Sequence, residues 1–562
     1  MPLTRPLRSL YCLRILLLLG LVVPLVPGRA ESPNPPPYYA IRNARLVTVS
    51  GPVIEKGTIV IANGLIAAVG TNVSIPPEAW VIEGEGLTVY PGLIDSLTNL
   101  GLPPAEEPAR TGAAPGQPAR GPVVRGPEDR PATTPWENAA DSLKPDDKRL
   151  EQWRKAGFTS AVSAPEKGIF PGQAAFINLA GERPSEMVVK TPAALRVNFT
   201  SAGSLWTFPG SLMGVLAYVK QLFSDADQYA RAWSVYAANP RGLERPAYDR
   251  TLEPLRQARA ENWPVLFPAT RRREMDRALR LAEEVGARPL LYGVHQGYDA
   301  AAALAAKKAP VLVSLKWPEK AKEGDPEAEE PLRELQLRDR APSTPAALHQ
   351  AGVKFAFYSD GLTNAQDILK NARKAIEAGL PQEAALRAFT LSAAEIFSVA
   401  DRLGSLEPGK IANLAVADGD LFAEKTKVKM VFIDGRKYEV REPGRPTEPP
   451  GTDLTGKWKL TVNTPQGPEE RTAELTMAED GTLSGTVTGP RGTTSISSGW
   501  VSGSKFSFTL TFSVGARTIE ATYSGTIEGK NISGTISVGA RTSEFSGTRP
   551  ETAGGQKEGG ND

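Results

Sequence analysis

From Tyr38 to Val89 the chain reads as short strands in runs rich in apolar and β-branched residues, Ala40 to Thr48, Gly57 to Ile61 and Leu65 to Gly70. Gly51-Pro52 and the hairpin dipeptide Asn63-Gly64 punctuate them. The style returns between Leu403 and Val440, where Glu407-Pro408-Gly409-Lys410 leads into Ile411 to Ala417, and Val428 to Ile433 turns at Asp434-Gly435. Between these two β segments the rhythm changes. An amphipathic helix runs from Leu150 to Lys155, Gly157 caps it, and the strand Phe158 to Ser163 follows. Val265 to Phe267 precedes the helix Glu274 to Val285, and Pro289 to Val294 precedes Tyr298 to Lys307. Pro310 to Leu315 is a further strand, and Val353 to Tyr358 runs into Ser359-Asp360. The helix Gln366 to Ala378 then stops at Gly379 before Pro381 starts the next. Strands alternating with helices predict a parallel α/β arrangement.

Two stretches break the periodicity. Residues 101–144 are rich in Pro, Gly, Ala and Arg and read as a long flexible insertion; residues 441–452 read as a linker. Beyond the linker, residues 453–550 are Thr, Ser and Gly with alternating apolar positions, as in Trp458 to Val462 and Phe506 to Phe512. Internal similarity (Ser513 to Thr518 against Ser537 to Thr542, with Ser-Gly-Thr at Ser484, Ser524 and Ser533) predicts hairpin repeats of a small antiparallel barrel or sandwich. Residues 551–562 read as a disordered tail.

Composition adds a compartment. Arg5, Arg8 and Arg14 precede the apolar run Ile15 to Val26, and Gly28-Arg29-Ala30 offers small residues for cleavage, so residues 1–30 read as a secretory signal and the chain is expected to be periplasmic or secreted. The run is too short for a spanning helix, so no stable membrane span is expected after cleavage. The only cysteine, Cys12, lies inside that signal, and its loss removes every thiol nucleophile and thiolate ligand. Loss of four arginines and no acidic residue turns the formal charge of +2 slightly negative, which gives no pull toward nucleic acid. The 41% hydrophobic share excludes global disorder.

Pro91-Gly92-Leu93-Ile94-Asp95 closes a strand, and two positions and four positions after Asp95 stand Leu97 and Asn99. The element resembles the amidohydrolase superfamily's first barrel strand, which continues after this aspartate with two metal-binding histidines. The resemblance covers about Tyr38 to Val440 and is similar to the imidazolonepropionase-like branch of metal-dependent hydrolases. It implies a (β/α)8 TIM-type barrel over residues 91–402, chosen over a doubly wound sheet on this ground alone. It also implies a composite β-sandwich of residues 38–90 with 403–440, followed by the C-terminal all-β domain. The family activity is hydrolysis of carbon–nitrogen bonds other than peptides, with zinc or another divalent metal held by four histidines, an aspartate and often a modified lysine.

This chain departs from that ligand set. Leu97 offers no lone pair, and one amide at Asn99 is a poor substitute for imidazole. Only two histidines exist, His295 and His349. Pro268 and Thr270 stand where a further strand end would carry imidazoles, and Arg196, nearest to the position of the modified lysine, cannot be carbamylated because its guanidinium does not deprotonate. No metal cofactor is therefore expected. Asp360, at the C-terminal end of an apolar strand, resembles the family's metal-binding general base and is taken as its vestige, with His295 as a weaker catalytic candidate. His349 reads as a surface helix residue, and the resemblance implies that Asp95 supports the metal ligands or the structure.

Three functional readings follow. One is an exported, degenerate amidohydrolase, a pseudoenzyme that holds a small-molecule ligand or partners an active relative. Another is an active metal-dependent amidohydrolase using Asp360 and His295 with one weakly held metal or a partner's residues. The last is an envelope interaction protein that recognises through its C-terminal β domain.

Overall fold

The computed structural model describes residues 38–103, 130–201, 208–320, 330–440, 450–464, 467–478, 481–490, 492–514, 517–538 and 541–549. The expected signal, most of the linker, the tail and residues 104–129 of the insertion lie outside them.

The chain opens with β1 (Tyr38–Leu46), β2 (Ile54–Ala62), β3 (Leu65–Gly70), β4 (Trp80–Glu83) and β5 (Thr88–Pro91). At the β2–β3 hairpin, Asn63 (φ 50°) and Gly64 (φ 83°) both take the left-handed conformation that a tight two-residue turn requires. Eight barrel strands follow: β6 (Leu93–Thr98), β7 (Phe158–Ser163), β8 (Gly172–Asn178), β9 (Val188–Arg196), β10 (Pro264–Ala269), β11 (Arg288–Gly293), β12 (Val311–Ser314) and β13 (Phe355–Tyr358). The return segment supplies β14 (Leu414–Ala417), β15 (Val428–Ile433) and β16 (Arg436–Glu439). The two flanking segments merge in one sheet of order β16-β15-β14-β5-β1-β2-β3, with β4 beside β1. Its seam is the antiparallel β5–β14 pair, where Pro91 faces Leu414 and Thr88 faces Ala417. Ile41, Ile59, Ile61, Leu414 and Phe432 fill its core.

Barrel strands lie in sequence order from β6 to β13. Alternation along each strand divides two cores. Leu266, Leu290, Leu312 and Ala356 point to the barrel axis, while their neighbours Phe267, Leu291, Val313 and Phe357 pack under the surrounding helices. The two end strands are clasped by one side chain. Asp95 Oδ1 accepts from the backbone N–H of Ser359, just past β13, at 3.0 Å, and its Oδ2 accepts from Trp153 Nε1 at 3.0 Å. Asp95 is thereby a buried structural residue.

The barrel departs locally from a uniform (β/α)8 pattern, because β8 runs antiparallel to both β7 and β9. The only helix between β7 and β9 is the single turn Pro184–Met187, and such short connections join antiparallel neighbours, whereas a parallel crossover takes a dozen or more residues. A second correction concerns the insertion expected to be flexible over residues 101–144. Of its described part, residues 130–144 form an ordered strap: Thr133 bridges Phe170, Asn138 bridges Gln173, and Ala139 and Leu143 are buried. Asn138 caps a short 3₁₀ turn by accepting from Ala140 N, and Thr133 Oγ1 meets Tyr218 OH at 2.8 Å. Two apolar anchors and backbone pairing hold the strap although the sequence has no period there.

The last strands, β17 (Gly456–Thr464) to β24 (Arg541–Thr548), close an antiparallel eight-stranded barrel through the β17–β24 pair. Its interior is filled by its own side chains, among them Trp458, Phe506, Phe508, Tyr523 and Phe545. Tyr523 OH is held by Arg471 Nη1 at 2.7 Å. Tyr523→Phe should therefore cost this barrel about 2 kcal/mol, the worth of a hydrogen bond to a charged group, measured as a shift of the unfolding transition in chemical denaturation.

Candidate functional site at the barrel mouth

In a parallel barrel the C-terminal strand ends form one rim, where functional groups gather. Here the rim carries Thr98 ending β6, Arg196 ending β9, Tyr292 in β11, and Tyr358 and Asp360 at and beyond the end of β13. Together with Leu97, Asn99 and Glu166 they line a cavity of about 40 Å³. Such a space takes a water or two, against the 300 Å³ or more of an ordinary small-molecule site.

The two positions that would carry the first imidazoles serve packing and anchoring instead. Leu97 is 3% exposed and joins the axial core, where a buried leucine contributes about 2 kcal/mol. Asn99 Oδ1 accepts from Arg149 Nη1 at 2.7 Å, and Arg149 also reaches the carbonyls of Asn99 and Leu102. The Asn99 amide oxygen is thereby already engaged.

Arg196 fills the mouth. Its guanidinium lies 5.4 Å from the centroid of the Tyr292 ring, donates from Nε to Asn198 Oδ1 at 3.3 Å, and donates from Nη1 to the Pro165 carbonyl at 3.2 Å. Tyr292 OH donates to the same Asn198 oxygen at 2.7 Å, and its ring meets Tyr358 edge-on at 6.3 Å. Asn198, itself buried, donates from Nδ2 to the Glu166 and Gly168 carbonyls. Burial raises both phenols, joined at Tyr358 by the charge of Asp360 and opposed at Tyr292 by Arg196, so both stay protonated. Sequence reasoning treated Arg196 only as a failed carbamate and passed over its partners. The signal was the alternation that places Arg196 and Asn198 on one side of the chain, with tyrosines at the inward positions of β11 and β13.

Asp360 has a left-handed backbone (φ 50°) and its Oδ2 accepts from Ser314 Oγ at 2.7 Å. His295 is buried next to the same strand end. Desolvation lowers its pKa, opposed by the charge of Asp360 and the backbone at Lys316 and Ser314, so the ring is neutral at pH 7. It packs against Trp317 at 6.0 Å, and its Nε2 has no hydrogen-bond partner among the described residues. The residue before it, Val294, is β-branched with φ 51°, a strained conformation that clusters at functional sites. Asp360 and His295 are thus neighbours, although His295 does not line the cavity. His349 is elsewhere: it sits on the helix Thr344–Gln350 that precedes β13, and lines a groove at the opposite strand ends. Thr270, at an expected imidazole position, receives Gln296 N on its carbonyl and gives its own N–H to Glu274 at a helix start.

The donor set does not fit a resident divalent metal. The cavity offers two carboxylates, Glu166 and Asp360, with no imidazole on its lining and a fixed guanidinium charge that repels a second cation. Among the described residues no three His, Cys, Asp or Glu side chains converge in a metal-holding group.

The architecture is an eight-stranded α/β barrel joined to a composite sheet of N- and C-terminal strands. The amidohydrolase family model matches residues 298–438. The crystal structure of an amidohydrolase from Thermotoga maritima MSB8 is similar at a TM-score of 0.59 and 26% identity, over 72% of this chain and 100% of that one. An amidohydrolase of Hapsidospora irregularis is 33% identical over 95 residues, 17% of this chain and 10% of that protein. Adenine deaminase 1 of Desulfotalea psychrophila (strain LSv54 / DSM 12343) is 29% identical over 151 residues, 24% of each chain. This chain thus spans from a tenth to a quarter of the length of those two relatives. Residues 298–438 thus match the amidohydrolase family, and the fold is similar to that of a solved amidohydrolase over most of the chain.

Proposed function

We propose that this protein is an exported, catalytically degenerate amidohydrolase that acts by binding. The observation that carries the reading is the Arg196 guanidinium, hydrogen-bonded to Asn198 and stacked with Tyr292 in the mouth of the barrel. The strained backbone at Val294 and Asp360 supports descent from a working site. A cavity of about 40 Å³ favours a protein partner over a small ligand held in the mouth. Export rests on the arginine-flanked apolar run before Ala30, and no helix among the described residues is long and apolar enough to cross a membrane.

Two measurements test it. The chain recovered from the extracytoplasmic fraction should begin at Glu31 by N-terminal sequencing. Turnover of amide and ureide substrates by Asp360→Asn and His295→Ala should equal that of the wild type; metal-dependent turnover lost in Asp360→Asn would establish the active-enzyme alternative instead.

A further inference from the structure

The larger cavities lie at the other end of the barrel. The N-terminal ends of β11, β12 and β13 carry Arg288, Pro310 and Lys354, and two cavities of about 510 and 700 Å³ open there. They adjoin, sharing Gly352, Val353, Lys354 and Glu395. Each falls in the size range of small-molecule sites, unlike the mouth.

The two halves differ in chemistry. The larger has an apolar wall of Val47, Val49, Val53, Phe355 and Leu386, with Val53 39% exposed at its rim, and a polar edge of His349, Glu383 and Arg387. Val49 is held at φ 68°, a conformation that β-branched residues rarely adopt. The smaller half carries Arg288, Lys307, Lys308 and Lys354 against Glu395 alone. Glu395 is shared by Lys354 at 2.7 Å and Arg387 at 2.8 Å, and Lys307 is paired with Glu283 at 2.9 Å. Arg288 reaches only the carbonyls of Asn262 and Ile396, at 3.5 and 3.4 Å, and among the described residues neither Arg288 nor Lys308 has a carboxylate within ion-pair distance. Next to Arg288, burial and then the charges of Arg288 and Arg402 lower the pKa of Lys190, in keeping with an excess of positive charge on this face.

We propose that this double groove binds a small amphipathic anion, its apolar body along Val47, Val53 and Phe355 and its carboxylate or phosphate head between Arg288, Lys308 and Lys354. The site is separate from the mouth and stands whether or not the mouth is catalytically dead.

Isothermal titration of the full mature chain with decanoate below its micelle concentration tests it, with decylammonium as the charge control. Decanoate should bind saturably at one site, and decylammonium at least about tenfold more weakly. Lys308→Glu and Lys354→Gln should each weaken decanoate about fivefold or more, and Val53→Trp, which fills the apolar half from its exposed rim, about tenfold, all with unchanged circular dichroism. Decyl phosphate in place of decanoate distinguishes the head groups; saturable binding of either one supports the site. Equal affinity for decylammonium, indifference to the three substitutions, or binding only to phosphatidylglycerol vesicles and not to either free anion overturns the proposal.

Discussion

Adding zinc, manganese, iron or cobalt to the purified protein should leave hydrolysis of N-acyl amino acids, ureides and aminopurines at the spontaneous rate. A bound divalent cation brings the pKa of water from about 15.7 to about 7, which at neutral pH is worth roughly eight orders of magnitude in hydroxide. A general base restores about two to four of those orders. Asp360 is the one carboxylate at the strand end fit for that task, and its Oδ2 is already accepting from Ser314 Oγ. His295 is neutral and buried outside the cavity lining. The expected deficit against a metal-loaded relative is therefore at least about four orders of magnitude, easily resolved by a discontinuous assay with mass-spectrometric detection. A metal-stimulated rate, abolished by chelator and restored on reloading, contradicts the reading.

The second large effect concerns the clasp between the first and last barrel strands. Asp95→Ala leaves the Ser359 N–H and Trp153 Nε1 buried without acceptors, each costing about 1–3 kcal/mol, so the barrel should lose about 4 kcal/mol at pH 4. The loss depends on pH in a definite direction. Burial pushes the Asp95 pKa from 3.8 up to about 6, against the opposing hydrogen bonds from Ser359, Trp153 and Leu97. An acid whose folded pKa is raised binds its proton more tightly when folded, so its contribution is full below about pH 4 and declines as pH rises through about 6. Two units at about 1.4 kcal/mol each make a decline of roughly 3 kcal/mol. The gap between wild type and Asp95→Ala should therefore narrow from about 4 kcal/mol at pH 4 to about 1 at pH 8, in urea unfolding curves run at each pH. A gap that widens with pH contradicts the assignment of Asp95 as a desolvated clasp.

How far the sequence is legible depends on whether local periodicity or distant contacts decide. The strands Phe158–Ser163 and Val428–Ile433 are found at the limits their alternation predicts, and the helix expected over Gln366 to Ala378 spans Ala365–Glu377. The β8 reversal was hidden because one strand's residues carry no mark of their direction; only the shortness of both connections tells it. Residues 130–144 were read as flexible because Pro and Gly erase periodicity, yet Ala139 and Leu143 suffice to anchor them. The helix Leu212–Ala238 carries Val215, Tyr218, Val219, Leu222, Phe223 and Ala226 at spacings of three and four, a signal present in the sequence and not used.

At the mouth, the missing ligands were readable as identities, since Leu97 and Asn99 have no imidazole whatever the fold. What replaces them was not. Arg196, Asn198 and Tyr292 meet across β9 and β11, and Asn99 turns to Arg149 fifty residues away; contacts set by strand order lie beyond a single-sequence reading. The neighbouring placement of Asp360 and His295 is equally a product of β12 and β13 lying side by side next to β11.

Crystals soaked in millimolar zinc and measured at the zinc absorption edge test the central claim most directly. The account predicts no anomalous peak in the cavity bounded by Leu97, Arg196 and Asp360, with the guanidinium still stacked on Tyr292. A fully occupied ion held by Asp360 and His295, with Arg196 swung aside, contradicts it.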